Sequence, residues 1–205
     1  MRFIIGMIMA IGVAVPTATL AAEGSPAEGK AKAEAAGCFS CHGADGIATA
    51  TGLSADKNVP NLAAQPDLFV QFQLVFFRNG ARKNPIMNAM AQSLSDEDIR
   101  NLGAYFASLP AARVPLPPDP APEATELGPK VAQAIHCTNC HADHFEGVDN
   151  NARLAGQRED YLDKALRDFK SGARNASGPA GMADVVYPLG DREMAALAHY
   201  LSRLR

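Results

Sequence analysis

The chain predicts an all-α protein built as two tandem helical domains related by internal duplication. Three observations carry this. "NLAAQPDLFVQFQLVFFRNGAR" (61–82) matches "RLAGQREDYLDKALRDFKSGAR" (153–174) at an offset of 92 residues, sharing Leu, Ala, Gln and a closing Gly-Ala-Arg. "LSDEDIRNLGAYFASL" (94–109) matches "LGDREMAALAHYLSRL" (189–204) at an offset of 95. Within each copy apolar residues recur at helical spacing, and nothing reads as a strand. A copy of about 85 residues is small enough that a metal, disulfides or a cofactor commonly completes its core.

Taken in order, residues 1–22, "MRFIIGMIMAIGVAVPTATLAA", carry one early arginine, an apolar run and then small residues. This is the layout of a secretory signal peptide cleaved after Ala21 or Ala22. The alternative, an uncleaved anchor, suffers from an apolar core that is short for a bilayer and ends at Pro16. No later stretch reads as a membrane span.

The N-terminal domain is expected over 23–109. Its first helix opens at Ser25 with Pro26 and Glu28 in the pattern of a capping box, and it closes at Gly37. A second helix places Phe69, Phe72 and Phe76 on one face and stops at Gly80. The last helix starts at Ser95, carries "DED" in its first turn and repeats Ile99, Leu102, Phe106 and Leu109. Residues 110–122 form a stiff linker, the stretch "LPAARVPLPPDPAPE" holding six prolines. The C-terminal domain, 123–205, repeats the plan, with Met194, Leu197, Leu201 and Leu204 on its last helix.

Without the leader the chain has 18 basic and 22 acidic side chains, a net of −4. Its lysines and arginines are scattered, which argues against a nucleic-acid partner.

All four cysteines belong to "CFSCH" (38–42) and "CTNCH" (137–141). Cys-x-x-Cys-His has four chemical readings. A redox disulfide belongs in a strand-helix context that is missing here. A structural disulfide suits an exported protein but leaves the histidine without a purpose. Zinc needs both pairs brought together across the Pro-rich linker. Covalent haem c uses every residue: Cys38 and Cys41, and Cys137 and Cys140, take the porphyrin vinyl groups, while His42 and His141 ligate iron. Two intact copies favour this last reading and predict two covalently bound haem c groups.

The repeat also selects a sixth ligand. At the offset of 95, Met87 falls on Met182, Met90 on Val185 and Met194 on Ile99, so one methionine pair is matched. Met87 and Met182 are therefore the expected distal ligands, in proline-containing loops before the last helices; Met90 and Met194 read as apolar filling. His136, His144 and His199 have no histidine counterpart and read as surface or supporting groups, with a single bis-histidine site as the alternative. Arg82 and Arg174, in the repeated Gly-Ala-Arg, suit either haem propionates or solvent.

With "CFSCHGADG", "PNLAAQ", "QFQLVFFRNGAR", "PIMNAM" and "LSDEDIRNLGAYFASL", the chain resembles the dihaem class I cytochromes c of the cytochrome c4 type over nearly its whole mature length. The resemblance implies two all-α cytochrome c domains about a pseudo-twofold axis, His-Met ligation and a bacterial periplasmic location. It assigns Cys38, Cys41, His42 and Met87 to one haem, and Cys137, Cys140, His141 and Met182 to the other. It also implies that a proline carbonyl orients the haem histidine. Pro60 stands at that place in the first copy and Ala152 in the second, which leaves the second contact open.

A thioether favours Fe(II), so His-Met ligation in an apolar pocket raises the reduction potential, and two filled axial positions leave none for substrate. The expectation is a carrier and not an enzyme. By resemblance it takes electrons from a quinol-oxidising respiratory complex and gives them to a terminal oxidase, touching the membrane only through such partners. The alternatives are the cytochrome subunit of a periplasmic dehydrogenase of the flavocytochrome c type, and a dihaem peroxidase with one displaceable ligand.

Overall fold

The structure, a computed structural model, describes residues 23–48, 58–111, 118–174 and 181–205. The expected signal peptide, 1–22, and positions 112–117 of the expected linker lie outside them. The regular secondary structure among the described residues is helical, apart from one isolated bridge between Val148 and Asn151. The first copy contains α1 (Pro26–Ala35), α2 (Phe39–His42), α3 (Asp67–Arg78), α4 (Pro85–Gln92) and α5 (Asp96–Ser108). The second contains α6 (Pro122–Ala134), α7 (Thr138–His141), α8 (Glu159–Lys170), α9 (Met182–Val186) and α10 (Asp191–Arg203).

Each copy is framed by its first and last helices, α1 against α5 and α6 against α10. A glycine makes each crossing close. A Cβ on Gly29 would lie 1.9 Å from the Asn101 carbonyl oxygen, and one on Gly128 would lie 2.3 Å from Tyr200 Cβ. Ser25 caps α1 by accepting from Glu28 N–H at 3.4 Å, but the other half of the expected capping box is replaced. Ser25 N–H donates instead to Asn101 Oδ1 at 2.8 Å, so the cap is spent on fastening α1 to α5. On α5 the box is complete, with Ser95 and Asp98 satisfying each other's backbone N–H groups.

Two separate cores result, one per copy. Ile99, Leu102 and Phe106 anchor the first, and Met194, Leu197 and Leu201 the second, as the last-helix stripes predict. The expected face of α3 is different from the observed core face. Val70, Gln73 and Phe77 are buried, while Phe72 is 44% exposed and stacks on Phe76 with ring centroids 6.0 Å apart. The reason is packing: one face of α3 is taken by α5, and the phenylalanine face next to it is left to line a cavity. No helix among the described residues is long and apolar enough to cross a membrane.

Candidate haem-binding cavity

Each Cys-x-x-Cys-His segment forms a single helical turn at the end of the first long helix of its copy. Cys38 N–H reaches back to the Ala33 carbonyl (2.9 Å), and His42 N–H to the Cys38 carbonyl (3.0 Å). Cys137 and His141 repeat this with Ala132 and Cys137, both at 3.0 Å. The turn therefore presents two thiols and an imidazole on one short segment, with no reach required from elsewhere in the fold.

His42 is buried, and its Nδ1 donates to the Pro60 carbonyl at 3.0 Å. A carbonyl only accepts, so the ring proton sits on Nδ1 and Nε2 keeps its lone pair. Burial pushes the His42 pKa below its ordinary value, with the Pro60 contact opposing in part, which favours the neutral ring that a metal requires. His141 is buried in the same way, its pKa also lowered chiefly by burial. Its Nδ1 donates to the Ala152 carbonyl at 2.8 Å. The contact left open by the loss of proline is thus present, because the acceptor is a backbone carbonyl that every residue carries.

None of the four cysteines is joined in a disulfide. Burial raises the Cys38 pKa and pushes the Cys137 thiol up to about 11. A disulfide-exchange motif needs the opposite, a stabilised thiolate.

Both donor sets open onto one continuous cavity of about 790 Å³, lined by His42, Met87, His141 and Met182 and by the cysteines of both turns. Phe69, Phe72 and Phe76 line it from α3. Met87 and Met182, expected in loops, lie on short helices instead. Asn84 caps α4 and accepts from Met87 N–H at 2.9 Å, with Pro85 fixing the first helical position. Met182 is the first residue of α9. Met194 is buried filling as expected, but Met90 is 37% exposed and borders the cavity. Among the other histidines, His136 and His144 are exposed. His199 is not a surface group: it is buried between Asp119 Oδ1 (3.0 Å) and Glu159 Oε2 (3.2 Å), away from the cavity lining.

The repeated arginines converge from the two copies. Arg82 donates to Gln73 Oε1 (2.7 Å) and Tyr161 Oη (3.0 Å), and Arg174 donates to the same Gln73 Oε1 (2.9 Å). Their guanidinium groups lie 4.5 Å over Phe77 and Phe169 respectively. Arg174 is buried, which overturns the solvated reading for it, and burial lowers its pKa to about 10. Burial alone would push the Tyr161 phenol up, yet the two arginines bring it down to about 8. Arg174 Nε is buried with no acceptor among the described residues. Two guanidinium groups held by neutral partners at the cavity wall suit an anionic guest, and haem carries carboxylates. Apolar walls, paired thiols, imidazoles with free Nε2 and this cationic edge all fit a haem in each copy.

Sequence reasoning passed over Gln65 and Gln157, although both belong to the repeated Leu-Ala-x-Gln frame. They are buried and join the copies. Gln157 pairs with the backbone of Asn61 (2.7 and 2.9 Å) and Gln65 with that of Arg153 (both 3.0 Å). Asn61 and Arg153 are themselves equivalent at the offset of 92, so the interface is reciprocal.

A family model described as cytochrome c matches residues 26–110 and again 125–205. A cytochrome c4 of Pseudomonas aeruginosa is 30% identical over 99% of this chain and 98% of its own length. A thiosulfate dehydrogenase electron acceptor of Stutzerimonas stutzeri is 33% identical over 86% of this chain and 83% of its own length. The crystal structure of reduced recombinant cytochrome c4 from Pseudomonas stutzeri superposes with a TM-score of 0.75 at 30% identity, covering 89% of this chain and all of that one.

Proposed function

This chain belongs to the cytochrome c family, and from that premise we propose that it carries single electrons through the periplasm, from a quinol-oxidising complex to a terminal oxidase. It is a dihaem electron-transfer cytochrome with two covalently bound haem c groups, one in each of two tandem domains, and its partners are redox proteins. In the proposal Cys38 and Cys41 hold the first haem with His42 and Met87 on its iron. Cys137 and Cys140 hold the second, with His141 and Met182. The domains run over 23–109 and 123–205, residues 110–122 link them, and residues 1–22 are removed on export.

The observation that carries the reading is that both donor sets line one continuous cavity across the domain boundary. The haems supply reversible one-electron chemistry. The protein holds each imidazole by its Nδ1, lines the cavity with the aromatic face of α3, and brings one methionine from α4 and one from α9 to the same cavity, all before any redox change. Preset donors with little to rearrange favour rapid transfer over catalysis.

A second reading has its own support in the similarity to thiosulfate dehydrogenase electron acceptors: the chain accepts electrons from a periplasmic dehydrogenase. One experiment separates the two. The oxidised holoprotein is mixed in parallel with a quinol-oxidising complex plus quinol, and with a thiosulfate dehydrogenase plus thiosulfate; the reduced holoprotein is mixed with terminal-oxidase membranes. Fast reduction by the first and fast oxidation by the membranes is the expected result. Reduction by the dehydrogenase alone overturns the respiratory reading, and tight carbon monoxide binding with rapid peroxide turnover overturns both.

A further inference from the structure

The backbone unit that holds each haem histidine is also gripped from the other domain. The Pro60–Asn61 peptide accepts His42 Nδ1–H at its oxygen (3.0 Å) and donates its N–H to Gln157 Oε1 (2.7 Å). The Ala152–Arg153 peptide accepts His141 Nδ1–H (2.8 Å) and donates its N–H to Gln65 Oε1 (3.0 Å). Each glutamine is then fixed by donating from Nε2 to the carbonyl of the same Asn61 (2.9 Å) or Arg153 (3.0 Å). Gln157 Oε1 also accepts from Arg158 N–H at 3.0 Å, which holds its amide plane. Both glutamines are buried, at 3% and 5% exposure for Gln65 and Gln157, so no water competes for these bonds.

A peptide is one conjugated unit, so an acceptor on its N–H shifts electron density onto its oxygen. That oxygen then takes the imidazole N–H more strongly. A stronger bond at Nδ1 makes Nε2 a better donor, and a better donor favours ferric iron. We propose that Gln157 and Gln65 are crossed positioning residues: Gln157 of the C-terminal domain sets the donor strength of His42, and Gln65 of the N-terminal domain sets that of His141. The inference rests on His42 and His141 being iron ligands. It gives the domain interface a task beyond adhesion, since opening it raises both potentials.

The test uses the full holoprotein with Gln157→Met and Gln65→Met, side chains of similar length without the amide. Each haem is followed in a redox titration by its own haem-methyl NMR signals, and each histidine by its Nδ1–H signal in the reduced protein. In Gln157→Met the potential of the N-terminal haem rises and His42 Nδ1–H moves upfield, while the C-terminal haem stays put. Gln65→Met gives the mirror result. Equal movement of both haems in either variant, or movement confined to the mutated domain's own haem, overturns the proposal. Should a methionine variant lose a haem, Gln157→Glu keeps an acceptor for Asn61 N–H, and an upfield His42 Nδ1–H in that variant also overturns it. The ligand assignment fails separately, if the His42 and His141 ring protons of the oxidised wild type lack the hyperfine shifts of iron-bound imidazole.

Discussion

The two domains hold the same donor types by different means. In the N-terminal domain α4 begins on a side-chain cap from Asn84, and Asn88 donates to the carbonyls of Phe77 (2.6 Å) and Arg82 (2.8 Å), tying the methionine segment to the end of α3. In the C-terminal domain α9 is five residues long and has no side-chain cap. The turn after each histidine differs too. Gly43 has φ 75° and ψ 151°, and its counterpart Ala142 has φ 66° and ψ 168°, a conformation that only glycine adopts without strain. The last helix starts on Ser95 in one copy and on Gly190 in the other. Contacts made by backbone atoms, such as the carbonyls of Pro60 and Ala152, survive these exchanges. The side-chain caps of α4 and α5 do not, so the C-terminal domain keeps its site with fewer such anchors.

The sharpest way to break the comparison is to remove the proposed methionine ligands one at a time. Met87→Ala should abolish the sulfur-to-iron charge-transfer band of the N-terminal haem and lower its potential, and Met182→Ala should do the same for the C-terminal haem. Met90→Ala should leave both bands intact. Near-infrared absorption and a redox titration read the outcome, and loss of a band in Met90→Ala would shift the ligand by about one helical turn.

A smaller effect exchanges the strained turns. Ala142→Gly should stabilise the C-terminal domain by ~1–3 kcal/mol, since it relieves a conformation that costs about that much. Gly43→Ala should destabilise the N-terminal domain by at least as much, because its Cβ would also lie 2.5 Å from the Ile47 carbonyl oxygen. Denaturant unfolding followed at each haem distinguishes the domains. Equal stability changes of the same sign would show that the two turns are not equivalent.

The smallest effects concern the helix starts. Ser95→Ala should cost ~1 kcal/mol by leaving the Asp98 N–H without its cap. Gly190→Ser should add only a few tenths of a kcal/mol, ~0.3, because glycine is already a tolerable N-cap and Gly190 N–H is satisfied by Glu193 at 2.7 Å. Thermal unfolding of the two variants measures the difference.

Much of the site was legible because it is local. Cys38, Cys41 and His42 share one turn, so their spacing alone states their geometry, and the same holds for Cys137, Cys140 and His141. The Met87 and Met182 pairing came from the repeat, although their helical setting did not, since helices of eight and five residues carry too weak a periodic signal. For His199 the sequence leaves a surface or a supporting role open, because its burial depends on Asp119 and Glu159, which lie 80 and 40 residues away in the chain. The phenylalanines of α3 were read as one face, and which partner that face meets was beyond reach of the pattern.

By itself the sequence determined the helical class, the duplication, the two attachment motifs and hence the pair of haems, because each rests on contacts between residues close in the chain or on exact recurrence. Only the tertiary structure decided what the repeat's glutamines and arginines do. Gln65 and Gln157 find their partners 88 and 96 residues away, and Arg82 and Arg174 meet at Gln73 and Tyr161. A recurring residue shows that something requires it. The requirement here is met across the domain boundary, where buried polar groups must find partners that only the folded arrangement supplies.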